Sequence, residues 1–192
     1  MSQSNSSMPR GRLAPSPTGA LHLGNARSFL IAWLSIRSRG GTIVLRMEDL
    51  DHPKVKPAAA DEALEDLRWL GIDWDEGPDI GGPHAPYTQS QRRDLYASAL
   101  TKLRAEGLAF PFTCSRADVE NAQSAPHPGD EHTVRYPGTC RGKYPSWEAA
   151  AAALPEGRIP AWRFRVDPGE SVFIDGFLGE RRLDLAASTG DF

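Results

Sequence analysis

Two prolines and a glycine, in Pro15-Ser16-Pro17-Thr18-Gly19, separate a short run at Arg10 to Ala14 from a long apolar-rich stretch that opens at Asn25. Proline fixes φ and has no N–H, so neither a helix nor a sheet ladder continues through such a segment. A strand therefore enters the turn and a helix leaves it. Ala26, Phe29, Leu30, Trp33 and Leu34 follow at i, i+3, i+4, i+7 and i+8, one face of a helix that Gly40-Gly41 stops. Thr42 to Met47 is β-branched and aliphatic and reads as a buried strand, with Glu48-Asp49 at its C-terminal end. Strand, helix and strand within roughly forty residues imply a right-handed crossover in a parallel sheet. Such α/β sheets bind ligands at the carboxyl ends of their strands.

The remaining chain reads as further elements of an α/β protein. A second helix is expected from Ala58 to Leu70, with Ala60, Ala63, Leu64, Leu67 and Leu70 inward and Gly71 as its stop. The glycine- and proline-rich segment Gly77 to Pro86 is a loop. A third helix is expected from Ser90 to Glu106, with Leu95, Tyr96, Ala99, Leu100 and Leu103 inward. Asn121 to Gly138, with three prolines and two histidines, reads as a long surface loop. A short helix follows at Ser146 to Leu154, then strands at Ala161 to Val166, Ser171 to Ile174 and Leu183 to Leu185.

Charge is divided along the chain. Residues 1–47 hold six arginines and no acid, whereas residues 48–79 hold eleven acids against three basic residues. An anionic ligand belongs near the N-terminal portion, where the local potential favours it. Arg37 and Arg39 read as solvated element ends, and Asp73, Asp75 and Glu76 as a solvated turn. No run of about eighteen apolar residues offers a membrane span. The serine-rich start, Met1 to Met8, lacks the apolar centre of a secretion signal and reads as a frayed tail. Two cysteines are too few for a disulfide framework, so the expectation is a cytoplasmic protein with reduced thiols.

The segment Arg12 to Arg27 carries the chemistry. It delivers a strand end, a stiff loop, and then His22 and Gly24 just before a helix N-terminus. Those parts suit a polyphosphate: free helical N–H groups and the dipole attract the anion, Gly24 allows close approach, and His22 donates to a phosphoryl oxygen. The run Arg12-Leu13-Ala14-Pro15-Ser16-Pro17-Thr18-Gly19, followed by His22-Leu23-Gly24-Asn25, resembles the first signature of class I aminoacyl-tRNA synthetases of the glutamyl branch. Asn25 stands where the signature has a second histidine. Leu45-Arg46-Met47-Glu48-Asp49-Leu50-Asp51 resembles the family's second landmark and Gly71 to Pro78 its third.

The resemblance implies the first half of a Rossmann-like class I catalytic domain with an inserted α/β subdomain. It divides the chain into a disordered tail at 1–9, the half-domain at 10–108, the insertion at 109–187 and the start of the second half at 188–192. It implies activation of L-glutamate with ATP and Mg2+ to glutamyl adenylate. The glutamyl group then passes to a tRNA. Implied roles are His22, Gly24 and Asn25 as the catalytic loop, with Pro15, Thr18 and Gly19 also on ATP. Arg12, Ala14, Ser16 and Glu48 take glutamate, Arg12 at a carboxylate and Glu48 at the ammonium. Asp49 and Asp51 read as structural, because two carboxylates beside a triphosphate repel it.

Two subgroups share these motifs: full glutamyl-tRNA synthetases acting on tRNA(Glu), and shorter glutamyl-queuosine tRNA(Asp) synthetases. Phe110 to Arg116 and Arg135 to Gly142 resemble the shorter enzyme, expected as a monomer acting on queuosine-bearing tRNA(Asp) away from membranes. There a Cys-x-Cys and a Tyr-x-x-x-Cys surround zinc; this chain keeps Cys114, Tyr136 and Cys140 but has Phe112 at the first cysteine. Either His127 or His132 completes the zinc site or zinc is lost and two buried free thiols remain. The four lysines, Lys54, Lys56, Lys102 and Lys143, form no Lys-x-Ser-Lys signature, and the resemblance covers about the first two-thirds of the family's catalytic region. Three readings follow: part of an active glutamyl-queuosine ligase, part of a glutamyl-tRNA synthetase, or a non-catalytic fragment that binds nucleotide or RNA. A nucleotidyltransferase sharing the His-x-Gly loop is disfavoured by the glutamyl-type run.

Overall fold

Alternate residues of β1 (Arg10–Leu13) face opposite ways: Gly11 and Leu13 point to the core, Arg10 and Arg12 away from it. The computed structural model describes residues 8–50, 55–56, 58–121 and 136–192; Asp51, His127, His132, Arg135 and the expected tail through Ser7 lie outside them. Two compact units divide the chain, Met1–Tyr96 and Ala97–Phe192.

In the first unit β1 pairs in parallel with β2 (Thr42–Leu45), from Arg10 opposite Thr42 to Leu13 opposite Leu45. Helix α1 (Leu23–Arg37) makes the crossover. Its Ile36 lies so close over Gly11 that a Cβ there would overlap the isoleucine. The inward face of α1 differs from the expected stripe: Phe29, Ala32, Trp33 and Ile36 join the core, whereas Leu30 and Leu34 are exposed. The helix is apolar on several sides, so periodicity alone does not select the face that Gly11 admits.

β2 is lined on its other side as well. The Leu45 amide donates to the Glu76 carbonyl (2.8 Å) and the Met47 amide to the Tyr87 carbonyl (2.9 Å). Helix α2 (Ala59–Trp69) buries Ala59, Ala63, Leu64 and Leu67 and ends, as expected, at Gly71, whose φ of +75° is the left-handed conformation that glycine tolerates. The core gathers Leu13, Ile43, Leu45, Met47, Leu67 and Ile72 around the strand pair. A 3₁₀ turn, Gln89–Arg92, leads into α3 (Arg93–Ala105), within which the two units divide. No residue of α3 is buried, and Leu95, expected inward, is exposed.

In the second unit β3 (Ala109–Phe112) pairs antiparallel with β4 (Ala161–Phe164). β3 was not legible as a strand, because Pro111 lacks the ladder N–H. The short helices α4 (Arg116–Asn121) and α5 (Trp147–Ala152) follow β3, the latter capped by Ser146. β5 (Glu170–Asp175) and β6 (Gly179–Asp184) form an exposed antiparallel hairpin, and Leu185, expected in a strand, opens α6 (Leu185–Ser188). The C-terminal residues return to β4: the Phe164 amide donates to the Phe192 carbonyl, and Asp191 is gripped by Arg141 and by the Val166 amide. No described helix is long and apolar enough to cross a membrane.

Candidate active site

Two backbone hydrogen bonds suspend the loop that follows β1. The Glu48 amide donates to the Pro15 carbonyl (2.9 Å) and the Lys56 amide to the Pro17 carbonyl (3.0 Å). Both proline rings are fully buried, so they anchor the loop, while Ser16 and Thr18 are exposed and Ala14 and Gly19 half-buried. The whole Ala14 to Gly19 segment thus lies at the carboxyl ends of β1 and β2, the position that a parallel crossover assigns to a ligand.

His22 is the N-cap of α1. Its Nδ1 accepts from the Gly24 amide (3.1 Å), and its own amide donates to Asn25 Oδ1 (3.2 Å), so the two side chains cap the helix reciprocally. With Nδ1 accepting, the neutral imidazole carries its proton on Nε2, and among the described residues none accepts from it. A Cβ on Gly24 would stand 3.0 Å from His22 Cε1 and 3.1 Å from Nδ1. Glycine here therefore protects the placement of the imidazole, a second reason for the residue beside close ligand approach.

The charged part of the site is a triad. Glu48 Oε1 lies 2.8 Å from Arg46 Nη2 and 3.6 Å from Arg12 Nη1, two guanidinium groups sharing one carboxylate. Arg46 was not among the expected site residues. Its signal was the period of two that places Arg46 and Glu48 on one face of the extended chain, the face that Arg10 and Arg12 occupy on β1. Arg46 Nε is buried with no hydrogen-bond partner among the described residues. Beside it opens a cavity of about 310 Å³, lined by Arg10, Arg12, Arg46, His84, Tyr87 and Arg92 among others. One surface of the strand pair is thus arginine-rich, a setting for a carboxylate or phosphate.

Three expectations about charged residues are corrected. Glu76 is buried, not solvated: it accepts from Tyr87 Oη (2.5 Å) and Arg10 Nη2 (2.6 Å). These bonds, Tyr87's first, hold its carboxyl below the ordinary range against burial, while burial and Glu76 push the Tyr87 phenol up. Asp75 also has fixed partners, in the Ile43 amide and Arg37 (both 2.7 Å); burial opposes its ionisation, but these bonds keep its pKa low. Arg37 itself is mostly covered and also reaches Asp73. Asp49 accepts from the amide and hydroxyl of Ser90.

The thiol motif forms a separate cluster in the second unit. Cys114 and Cys140 Sγ are 3.4 Å apart, and the Cys140 amide donates to Tyr136 Oη (2.5 Å). Tyr136, expected on a surface loop, is buried. Burial pushes the Cys114 thiol up to about 11; burial opposes the Cys140 thiolate too, but hydrogen bonds from Tyr136 and Thr113 bring that group to about 7. Phe112 packs edge-on against Tyr136 and supplies no ligand. Among the described residues no group of three His, Cys, Asp or Glu side chains is placed to hold a metal. Two sulfurs and a phenol do not fit a closed tetrahedral zinc site.

Comparison with known proteins agrees with the geometry. The family model described as tRNA synthetases class I (E and Q), catalytic domain, matches residues 9–184. The chain is 50% identical over 182 residues to the glutamyl-Q tRNA(Asp) synthetase of Symbiobacterium thermophilum, covering 95% of this chain and 55% of that protein. It is 52% identical over 170 residues to the glutamate–tRNA ligase of an Anaeromyxobacter species, covering 87% of this chain and 34% of the ligase. The crystal structure of a glutamate tRNA ligase from Elizabethkingia meningosepticum, in complex with its amino acid, superposes with a TM-score of 0.74 at 29% identity, covering 96% of this chain and 38% of that one. The chain therefore spans about half the length of the glutamyl-Q relative that it matches, and a little over a third of the ligases. It belongs to the class I tRNA synthetases of the E and Q type, as part of their catalytic domain.

Proposed function

We propose that this chain forms the ATP- and glutamate-binding half of a glutamyl-queuosine tRNA(Asp) synthetase in the cytoplasm, a monomer divided as 10–108 and an insertion at 109–187. The supporting observation is the capped imidazole: His22 Nδ1 held by the Gly24 amide leaves an N–H to donate at a helix N-terminus. The chemistry is an in-line displacement. A glutamate carboxylate oxygen attacks the α-phosphorus of ATP, the bond from that phosphorus to the bridging oxygen breaks, and pyrophosphate leaves. The glutamyl group then passes to a hydroxyl of the cyclopentene-diol of queuosine, and AMP departs. Because the nucleophile belongs to the substrate, the chain's work is positioning and charge stabilisation. Magnesium arriving with ATP neutralises phosphate charge.

The phosphates are assigned to His22 and the α1 N-terminus from Gly24 to Asn25, and the nucleotide to the loop at Pro15, Thr18 and Gly19. Glutamate is assigned to Arg12, Ala14, Ser16 and Glu48, with Arg46 holding Glu48 in place. No step runs through zinc. A charge-assisted arginine bond contributes roughly 1.5 to 3 kcal/mol, so Arg12→Ala weakens glutamate binding by roughly ten- to a hundredfold.

The test is titration of ATP into the chain with the His22 imidazole resonances followed by NMR. Resonances that do not move sink the nucleotide assignment, and an unchanged glutamate affinity in Arg12→Ala sinks that of the amino acid. A second reading, part of a glutamate–tRNA ligase acting on tRNA(Glu), draws support from the 52% identity to the Anaeromyxobacter ligase. Charging of tRNA(Asp) against tRNA(Glu) by the chain completed at its C-terminus separates the two. ATP–pyrophosphate exchange with glutamate by the chain alone separates both from a non-catalytic fragment.

A further inference from the structure

The cluster around Cys114 and Cys140 already holds a cation, and it is an organic one. The guanidinium carbon of Arg163, on β4, lies 4.2 Å from the ring centroid of Phe112 and 4.2 Å from that of Tyr136. Those rings stand edge to face at 5.2 Å, so the guanidinium sits against both aromatic groups. Its Nη1 donates to the Asp191 carbonyl (2.6 Å), its Nε is buried with no hydrogen-bond partner among the described residues, and no described carboxylate forms an ion pair with it. The strand register explains the placement, since Phe110 is opposite Arg163 and Phe112 is two residues further along β3.

The sulfurs tell the same story. Two thiolates bound at 2.3 Å to a tetrahedral zinc ion lie about 3.8 Å apart. Cys114 and Cys140 are closer, at 3.4 Å, a sulfur–sulfur hydrogen-bond distance. Tyr136 Oη is occupied by the Cys140 amide, and Thr113 Oγ1 lies 3.6 Å from Cys140 Sγ and 3.1 Å from Tyr144 Oη. Among the described residues each thiol and hydroxyl of the cluster thus has a partner, the buried Nε of Arg163 alone lacking one, and Phe110, Phe112 and Val119 pack into the same core.

We infer that this cluster is a metal-independent structural knot in which Arg163, held against Phe112 and Tyr136, is the resident cation and Phe112 is the residue that excludes zinc. The inference concerns the second unit alone and does not rest on the nucleotide-site reading. Zinc content of the full chain, purified from zinc-supplemented culture, is measured by elemental analysis, and thermal melts are run with and without a chelator. The wild-type chain is expected to hold less than about a tenth of a zinc ion per chain and to melt identically in both. Phe112→Cys restores a third thiol and is expected to hold about one zinc ion per chain, with a melting temperature that falls on chelation. Arg163→Met is expected to lower the wild-type melting temperature by about 4 °C or more.

Stoichiometric zinc in the wild-type chain, with a ligand drawn from His127 or His132, overturns the inference. So does a soluble, folded Phe112→Cys that takes up no zinc. If Phe112→Cys does not fold, the wild-type zinc content and the Arg163→Met melt decide alone, and an unchanged melt removes Arg163 from its role.

Discussion

The imidazole of His22 is anchored by one hydrogen bond, from the Gly24 amide at 3.1 Å, and the reciprocal bond from its own amide to Asn25 Oδ1 closes the first turn of α1. That arrangement separates two effects that usually travel together. Alanine at Gly24 would bring a methyl group to 3.0 Å from the ring and force the imidazole aside. Alanine is also the better helix former, by roughly 0.8 to 1 kcal/mol in a helix interior. Gly24→Ala is therefore expected to weaken ATP binding by about tenfold, some 1.4 kcal/mol, while the melting temperature stays level or rises. Calorimetric titration and a thermal melt check the two halves. Full ATP affinity in the variant would show that the position of the ring is irrelevant to the nucleotide. Asn25 has a comparable double duty, since the oxygen that caps His22 leaves its side-chain amide free to donate.

Among the elements, the strand–helix–strand unit was legible because each boundary has its own chemical marker: the prolines after β1, Gly40-Gly41 after α1, and the β-branched run of β2. What could not be read was which side of α1 packs. Leu30, Ile31, Ala32, Trp33, Leu34 and Ile36 give the helix apolar residues over more than one face, and the choice is made by Gly11 on β1, which leaves room for Ile36 alone. Gly11→Ala is expected to destabilise the chain by about 1 to 3 kcal/mol through overpacking. Ile36→Ala in the same chain should recover part of that loss, giving a coupling energy of about 0.5 kcal/mol or more in a double-mutant cycle. Denaturant midpoints of the four chains measure it, and strictly additive effects would mean that the two residues do not compete for the same space. The site shows the same divide between markers and partners. The proline loop and His22 announce themselves by residue type, whereas Arg46 becomes visible only when its alternation with Glu48 is set beside β1. Glu76 looked solvated because Tyr87 and Arg10, which bury and pair it, are eleven and sixty-six residues away.

Across the whole molecule, the charge division seen along the sequence is folded back on itself within the first unit. Four of the six arginines before residue 48 meet acids of the following segment: Arg10 with Glu76, Arg12 and Arg46 with Glu48, and Arg37 with Asp73 and Asp75. The basic start is thus no open cationic face, and attraction for an anion arises locally, where two guanidinium groups share Glu48 and Arg10 and Arg92 line the adjoining cavity. The same pairing makes the unit sensitive to acid. Folded Glu76 and Asp75 lie below their ordinary values of 4.5 and 3.8, so the unfolded chain binds protons more readily than the folded one. Their contribution is complete above those ordinary values and is lost as pH falls through the lower, folded ones. Glu76→Gln is therefore expected to be less stable than wild type at pH 7, with the difference narrowing steadily below about pH 4.5 as wild type loses the same charge. Native-state hydrogen exchange at the Leu45 amide, which donates to the Glu76 carbonyl in the middle of the unit, reads this directly. If the stability curves of wild type and variant run parallel from pH 7 to pH 3, the buried Glu76 carboxylate does not couple the acidic segment to β1, and the two segments are held by their remaining contacts.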